Sequence, residues 1–204
     1  PIVSPGTRCC SPLVYDIESD RMVVFSGWNN LNYDGSRYND TWTYDFNTNT
    51  WTNMLPSVQP TGRGGHSMAY DEKADVMVMF GGVIGHQTDY PEFNAETWKY
   101  DLNANTWVNM SPASNPSPRA FPCMAYDNKS DVIVMFGGWP GGWGNTYSDT
   151  WVYNLTQNTW TNVTTSVHPG GRFFSSMFYD YTNERILLAG GNDWETFLND
   201  IWEY

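Results

Sequence analysis

Lysine is scarce in this sequence. Only Lys73, Lys99 and Lys129 occur among 204 residues, and the formal net charge is −12 at pH 7. Because such a surface repels phosphate groups, we expect neither nucleic acid nor an anionic membrane as a partner. Long apolar runs are lacking as well, since no stretch approaches the roughly 20 apolar residues that a membrane-spanning helix needs. The sequence therefore predicts no membrane insertion.

Cysteine and histidine, the usual zinc and copper ligands, are also few. There are three cysteines and three histidines, without CxxC or HExxH spacing: Cys9, Cys10, Cys123, His66, His86 and His168. We therefore predict no metal and no cofactor. The D-x-N-x-N string at 45–49 lacks the glycine and glutamate of a calcium loop, and we interpret it as a turn. We expect the cysteines to be buried free thiols, although the sequence does not decide whether any of them forms a disulfide.

The sequence instead carries one pattern in four copies. Consecutive apolar residues stop at glycine in the segments 22–27, 76–82, 132–138 and 186–191. Apolar residues at consecutive positions are typical of a strand that is buried on both faces. The glycines allow a turn or a close approach of a neighbouring side chain.

Other residues recur at fixed distances from these segments. An arginine precedes the last glycine of each segment by 19 residues, and a tyrosine follows that arginine after seven. The differences between successive arginines (Arg8, Arg63, Arg119, Arg172) are 55, 56 and 53 residues. Each segment is followed by a Trp-x-Tyr pair, and in three copies by a second tryptophan nine residues after the first: Trp42, Trp98, Trp151 and Trp202, then Trp51, Trp107 and Trp160. A period near 50 predicts a repeat protein.

This combination resembles the kelch repeat. The matching features are the glycine pair, Asp-Thr-Trp-x-Tyr-Asp at 40–45, Asn-Thr-Trp at 49–51, and an arginine introduced by Pro-x-x or by glycine. The histidine that often follows the arginine by three residues in the family is matched only by His66, whereas Ser11, Pro122 and Ser175 stand there in the other repeats. The resemblance covers the whole chain and implies an all-β fold, a kelch-type β-propeller of four-stranded blades at approximately 8–60, 61–116, 117–169 and 170–204.

In a kelch blade, strands A to D run from the channel outward. For the second repeat we predict strand A at 65–70, strand B at 76–82, a loop at 83–95, strand C at 96–100 and strand D at 106–110. The strand D tryptophan of the fourth repeat would stand nine residues after Trp202, beyond the sequence. We therefore expect a single partial domain, 1–204, with four blades of which the last lacks its outer strand, as part of a larger propeller. A closed four-bladed ring is the alternative.

The repeated arginines are the first candidate site. Equivalent positions on successive blades would bring Arg8, Arg63, Arg119 and Arg172 together at one mouth of the channel. Guanidinium groups placed there could bind a carboxylate or a sulfate bidentately. The alternative is a framework role, in which each arginine pairs with an acidic residue of a neighbouring strand.

The loop between strands B and C is the second candidate. The distance from the second glycine to the strand C tryptophan is 15, 16, 13 and 11 residues, whereas the other spacings are constant. Variation confined to one loop on a rigid frame is typical of a binding surface. The aromatic residues in these loops are Trp28, Tyr33, Tyr38, Tyr90, Phe93, Trp139, Trp143, Tyr147, Trp194 and Phe197. We predict that they bind a protein or a glycan. The alternative is packing against adjacent blades, above all for Trp28 and Trp139, which directly follow the glycines.

Potential N-glycosylation sites occur at Asn39, Asn109, Asn128, Asn154 and Asn162. Together with the scarcity of lysine and the acidic, Asn- and Thr-rich composition, they favour an extracellular or cell-surface location.

These patterns favour a non-catalytic binding module, with self-association as a further option and no residue assigned to catalysis. Two alternatives stay open. One is a galactose-oxidase-like or sialic-acid-isomerase-like propeller enzyme, which the resemblance suggests and for which only His86, Asp89 and Glu92 lie near one another as candidate groups. The other is a structural subunit of a surface layer or filament.

Overall fold

The computed structural model describes residues 3–29, 37–85 and 91–204. Within these ranges the chain forms strands and turns and no helix. The first repeat contains β1 (Leu13–Asp16), β2 (Arg21–Phe25), β3 (Thr41–Asp45) and β4 (Thr50–Asn53). The second contains β5 (Ser67–Asp71), β6 (Val76–Phe80), β7 (Val83–Ile84), β8 (Glu92–Phe93), β9 (Thr97–Asp101) and β10 (Thr106–Asn109). The third contains β11 (Cys123–Asp127), β12 (Val132–Phe136), β13 (Thr150–Asn154) and β14 (Thr159–Asn162), and the fourth contains β15 (Ser176–Asp180), β16 (Arg185–Asn192) and β17 (Phe197–Glu203).

Each repeat folds into one antiparallel sheet. The strand orders are β1-β2-β3-β4, β5-β6-β9-β10, β11-β12-β13-β14 and, with three strands, β15-β16-β17. The first strands of successive sheets contact one another, so the sheets are the blades of a propeller with these strands innermost. The predicted all-β propeller is confirmed, including the fourth blade without an outer strand in the described chain.

The B–C segment of the second blade differs from the single loop that the sequence predicted. The short strands β7 and β8 pair with each other there, with Val83 opposite Phe93 and Ile84 opposite Glu92. Val83 also exchanges backbone hydrogen bonds with Gly64, at 2.8 and 3.1 Å, and its side chain is buried. The two ends of this segment are therefore anchored to the blade, a feature that two-residue strands are too short to reveal as a sequence period.

The core lies in the seams between blades. In β6, Met77 and Met79 pack against the first blade, whereas Val78 and Phe80 pack against the third. All five residues of Val76–Phe80 are consequently buried. Alternating side chains of one strand thus fill two different seams, which is why strand B is apolar at consecutive positions.

Tryptophans of the outer strands β10 and β14 each form a hydrogen bond to the preceding blade. The indole N–H of Trp107 donates to the hydroxyl of Thr41 at 3.0 Å, and that of Trp160 donates to the hydroxyl of Thr97 at 2.9 Å. Both rings are buried. Burial of about 150–250 Å² per indole at about 25 cal/mol/Å² contributes about 4–6 kcal/mol each before the loss of conformational entropy.

The last glycine of the strand B segment joins each of the first three blades to the next. Its amide donates to the carbonyl of the following blade's arginine at 2.8–2.9 Å, in the pairs Gly27–Arg63, Gly82–Arg119 and Gly138–Arg172. Gly138 has φ +106°, and a Cβ there would lie 2.9 Å from the carbonyl oxygen of Ala120. Both the dihedral angle and the close contact therefore require glycine.

We predict that Gly138→Ala lowers the free energy of unfolding by about 3 kcal/mol, because the methyl group adds a backbone clash to the cost of a left-handed residue. Chemical denaturation followed by tryptophan fluorescence measures this change.

Gly144→Ala is the matched control. Gly144 also has a positive φ, +76°, but its Cβ would meet no atom within 4 Å. We expect a loss of only about 1 kcal/mol, which is the cost of the dihedral angle alone. Equal losses for the two variants would show that the close contact at Gly138 does not constrain the seam.

Candidate functional site at the loop face

The loop face is defined as the end of the propeller that carries the repeated arginines, the glycine pairs and the B–C loops. Strand B of each blade ends there and strand C begins there. The opposite end carries the A–B and C–D turns, where Asp16, Asp71 and Asp101 accept hydrogen bonds from backbone amides three residues later. The predicted loop aromatics among the described residues therefore belong to one end of the molecule.

The four repeated arginines lie at the loop face in nearly identical environments. In Arg119, Nε donates to the carbonyl of Ser117 at 3.0 Å, and Nη1 donates to the carbonyl of Gly137 at 2.9 Å. Nη1 and Nη2 also bind the two carboxylate oxygens of Asp149 at 2.6 and 2.9 Å. The corresponding acidic partners of Arg8, Arg63 and Arg172 are Asp40, Glu96 and Asp200.

These arginines are buried and their hydrogen-bonding capacity is used within the blade. The side chains of Arg63 and Arg119 are 0% exposed, and those of Arg8 and Arg172 are nearly so. A guanidinium group that is already bound to a carboxylate and two carbonyls offers no free edge to an external anion. The geometry of these four arginines therefore corresponds to the framework alternative.

Each acidic partner also accepts a hydrogen bond from the strand C tryptophan. The indole Nε1 of Trp151 lies 2.7 Å from Asp149 Oδ2, and that of Trp202 lies 2.7 Å from Asp200 Oδ2. The same contact occurs at 2.6 Å in the first blade and at 3.0 Å in the second. One carboxylate thus ties the arginine before strand A to the start of strand C.

The hydrogen bonds keep these carboxylates ionised. Burial raises the pKa of Asp149, but the hydrogen bonds from Arg119 and Trp151 outweigh it, and the pKa lies below its ordinary value. The same balance lowers the pKa of Asp40 and Glu96. The ion pairs are therefore fully formed at neutral pH.

Two of the predicted aromatics cover these ion pairs. The guanidinium carbon of Arg8 lies 4.2 Å from the ring centre of Tyr38, and that of Arg119 lies 4.0 Å from the ring centre of Tyr147. Both tyrosines are half-buried. Cation–π contact and shielding from water are their evident roles.

Trp28 and Trp139 are held by backbone hydrogen bonds as well as by their rings. Trp28 pairs with Cys9 and Trp139 with Ala120, as isolated bridges beside strand A. The Trp28 ring lies on Gly64 of the next blade, where a Cβ would come within 1.8 Å of its Nε1. The Trp139 ring meets Phe93 edge to face at 5.1 Å. These three predicted residues therefore pack across seams.

Trp143, Trp194 and Phe197 are placed differently. Trp143 is 88% exposed and Phe197 is 89% exposed. Trp194 contacts Trp143 at 5.0 Å and Trp139 at 5.6 Å, measured between ring centres. We call Trp139, Trp143 and Trp194 the tryptophan cluster. Trp139 pairs with Ala120 of the blade through its backbone, whereas the ring of Trp143 faces solvent.

Some predicted residues lie outside the described residues. These are the loop aromatics Tyr33 and Tyr90, and the candidate enzyme groups His86 and Asp89. Glu92, the third member of that enzyme set, is an exposed residue of β8.

Three phenylalanines that are not among the candidates predicted from the sequence extend the aromatic surface. Phe121 and Phe174 each stand two residues after a repeated arginine, with φ +54° and +57°, and their rings are 4.3 Å apart. Phe173 joins Phe174 to Trp194, at 4.9 and 5.0 Å. A left-handed conformation is unusual for bulky residues and often marks a functional position. The sequence signal that could have identified Phe121 and Phe174 is their identical distance, two residues, from a repeated arginine.

A cavity of about 450 Å³ opens beside these phenylalanines and is lined from all four blades. Its wall includes Ser11, His66, Pro122 and Ser175, the four residues that stand three positions after the arginines. His66 is buried and neither ring nitrogen has a hydrogen-bond partner. Burial, followed by the charge of Arg63, lowers the pKa of His66 to about 3, so this wall is uncharged at neutral pH.

The remaining sequence candidates are spread over the molecule. Cys9, Cys10 and Cys123 are free thiols, of which only Cys123 is buried. Of the glycosylation candidates, Asn39, Asn109, Asn128 and Asn162 are exposed and Asn154 is half-buried. Across the described ranges, His, Cys, Asp and Glu side chains form no group of three that could hold a metal ion. No helix long and apolar enough to cross a membrane occurs there.

Comparison with known proteins identifies the fold family. A profile of the KLHDC2/KLHL20/DRC7 kelch-repeats domain matches residues 8–204, and the chain belongs to the kelch-repeat family. Kelch domains generally mediate protein interactions.

The chain spans only a small part of two relatives that it matches. The chain is 25% identical over 203 residues, 91% of its length, to the dynein alpha chain of the flagellar outer arm of Chlamydomonas reinhardtii, of which it spans 4%. It is 32% identical over 89 residues, 40% of its length, to Mei4-dependent protein 6 of Schizosaccharomyces pombe, of which it spans 12%.

We predict that Glu96→Gln lowers the free energy of unfolding by about 3–5 kcal/mol, because it leaves the buried Arg63 without its counter-charge. Glu184→Gln is the matched control, since Glu184 pairs with Lys129 on the surface at 3.0 Å with both side chains about 60% exposed. We expect it to cost less than about 1 kcal/mol. Similar losses from the two substitutions would contradict the framework role.

Stability should also depend on pH through the same carboxylates. Because their pKa values are lower in the folded chain, the stabilisation is complete above the unfolded value of about 4 and is lost as the pH falls through the folded values. We expect the midpoint of urea denaturation to decrease steeply below about pH 4. This acid dependence should be shallower in Glu96→Gln, and an unchanged slope would argue against the assignment.

Proposed function

We propose that this kelch domain is a non-catalytic interaction module that binds a protein partner on its loop face. The observation that carries the proposal is the exposure of Trp143 beside the ring of Trp194, which in turn contacts the seam residue Trp139. Phe197 is exposed as well. Exposed aromatic side chains dominate the binding energy of protein interfaces.

The tryptophan cluster is organised before any partner arrives. The indole N–H of Trp139 donates to the carbonyl of Gly142 at 2.8 Å, and that of Trp194 donates to the carbonyl of Asn145 at 3.0 Å. These bonds fix both rings, so that little conformational entropy is lost on binding. A rigid aromatic platform surrounded by loops of unequal length is suited to recognition.

A glycan is the second ligand class that we propose for this surface. It is favoured by the exposed indole of Trp143 between glycines Gly142 and Gly144, with Asn145 close by. A flat ring can stack on the C–H face of a sugar while neighbouring polar groups bond its hydroxyls. If a protein partner no longer binds after its glycans have been removed by a glycosidase, the contact is with the glycan.

An extracellular location is likewise a proposal. It is supported by the glycosylation patterns, four of which place the acceptor asparagine on the surface. Secreted expression followed by removal of N-glycans should then lower the mass of the protein, and Asn128→Gln should remove one increment. An unchanged mass would leave the proposal without this support.

We predict that Trp143→Ala abolishes partner recovery and changes the melting temperature by no more than about 1–2 °C, because an exposed side chain contributes little to folding. The measurement is quantitative mass spectrometry of proteins retained from an extract by immobilised wild-type and variant domains.

Phe46→Ala is the matched control. Phe46 is 55% exposed but lies in the C–D turn of the first blade, at the opposite end. Its removal should leave the retained proteins unchanged. Partners that are retained equally by Trp143→Ala, or lost equally with Phe46→Ala, would contradict a binding role for the loop face.

A further inference from the structure

Positive charge is nearly absent from the loop face. The four B–C loops contain a single basic residue, Arg37, whose guanidinium carbon lies 5.9 Å from the Trp28 ring centre. The repeated arginines are buried against their own carboxylates. The lysines lie elsewhere, with Lys73 and Lys129 in A–B turns and Lys99 within β9.

Negative charge, in contrast, flanks the aromatic surface. Besides the carboxylates that bind the arginines, the described loop residues include three acidic ones, Glu92, Asp193 and Glu195. The sequence adds Asp34 and Asp89, which lie outside the described residues. Asp193 and Glu195 directly flank Trp194, and Glu92 directly precedes Phe93. An aromatic patch with acidic neighbours attracts cations through both the ring faces and the carboxylates.

The acidic residues next to the tryptophan cluster are held in place. Asp193 Oδ1 accepts hydrogen bonds from the amides of Glu195 at 3.0 Å and Thr196 at 2.8 Å. Asn192 Oδ1 accepts one from the amide of Trp194 at 2.8 Å. The hydrogen bond from the Thr196 amide lowers the pKa of Asp193 below its ordinary value, so the carboxylate is charged at neutral pH.

The indole nitrogens of Trp139 and Trp194 are already occupied. Because Trp139 and Trp194 donate their N–H groups to backbone carbonyls, these rings offer only their π faces to a ligand. A π face attracts a cation and repels an anion, since the ring quadrupole is negative above its plane. With the repeated arginines buried against their own carboxylates, an acidic partner would meet little complementary charge.

We propose that the loop face binds a cationic protein segment, with a lysine or arginine side chain stacked on Trp143 and Trp194 beside Asp193 and Glu195. This inference rests on the proposed function and names the chemistry of the partner. A neutral glycan would need the rings but not the carboxylates, and a membrane surface rich in anionic lipid would be repelled.

The test uses isothermal titration calorimetry with two ten-residue peptides. One alternates lysine or arginine with glycine, and the other carries glutamine in place of every basic residue. The whole domain should bind the basic peptide and not the glutamine peptide. Trp143→Ala should weaken binding of the basic peptide about two- to fivefold, since a cation–π contact at an exposed site has that magnitude.

A matched pair of charge variants separates this site from the overall negative field. Asp193→Asn and Asp101→Asn each remove one charge and keep an acceptor for the same kind of turn, because Asp101 Oδ1 accepts the amide of Ala104 at 2.7 Å. Asp193→Asn should weaken binding about threefold, whereas Asp101→Asn, at the opposite end, should leave it unchanged.

The possible failures of the inference and of the proposed function are distinguishable. Equal weakening by Asp193→Asn and Asp101→Asn, or an unaffected affinity in Trp143→Ala, would overturn the cationic site and assign peptide binding to net charge. If the cationic site is absent while Trp143→Ala still loses its partners from the extract, the loop face binds a partner of another chemistry and the proposed function survives.

Discussion

The ion pair between each repeated arginine and its carboxylate is the interaction on which the rest of the propeller depends. It joins the segment before strand A, the glycine pair that ends strand B and the tryptophan that begins strand C. In the second, third and fourth blades, the carbonyl of the same arginine accepts the amide of the last strand B glycine of the preceding blade. One residue therefore both holds the strands of its own blade together and attaches that blade to the preceding one. Its side chain is buried, where an unpaired charge is costly.

This arrangement explains why the B–C loops can vary without disturbing the blades. Both ends of each loop are fixed, at the glycine pair and at the tryptophan that donates to the carboxylate. The loop segments between these fixed ends can differ in length and can carry exposed aromatic side chains, such as Trp143. Functional diversity on a constant frame follows from this separation of roles.

The sequence revealed the fold because the repeats place the same residue types at the same distances. The strand B runs and the paired tryptophans lie in the strands that the spacing predicted. The surface was harder to predict, because exposure depends on how neighbouring loops pack. Trp139 and Trp143 are four residues apart in one loop, yet the first packs in a seam and the second faces solvent. Phe121 and Phe174 were overlooked because their importance comes from a left-handed backbone and from contacts between blades.

The central claim is that the outer-strand tryptophans Trp107 and Trp160 are buried in the seams, whereas Trp143 at the loop face is open to water. Fluorine NMR of the domain labelled with 5-fluorotryptophan tests it directly through the change in each chemical shift between H₂O and D₂O. The account predicts a large solvent effect for Trp143, assigned by its loss in Trp143→Phe, and almost none for Trp107 and Trp160. A shielded Trp143, or framework tryptophans with the same solvent effect, would contradict it.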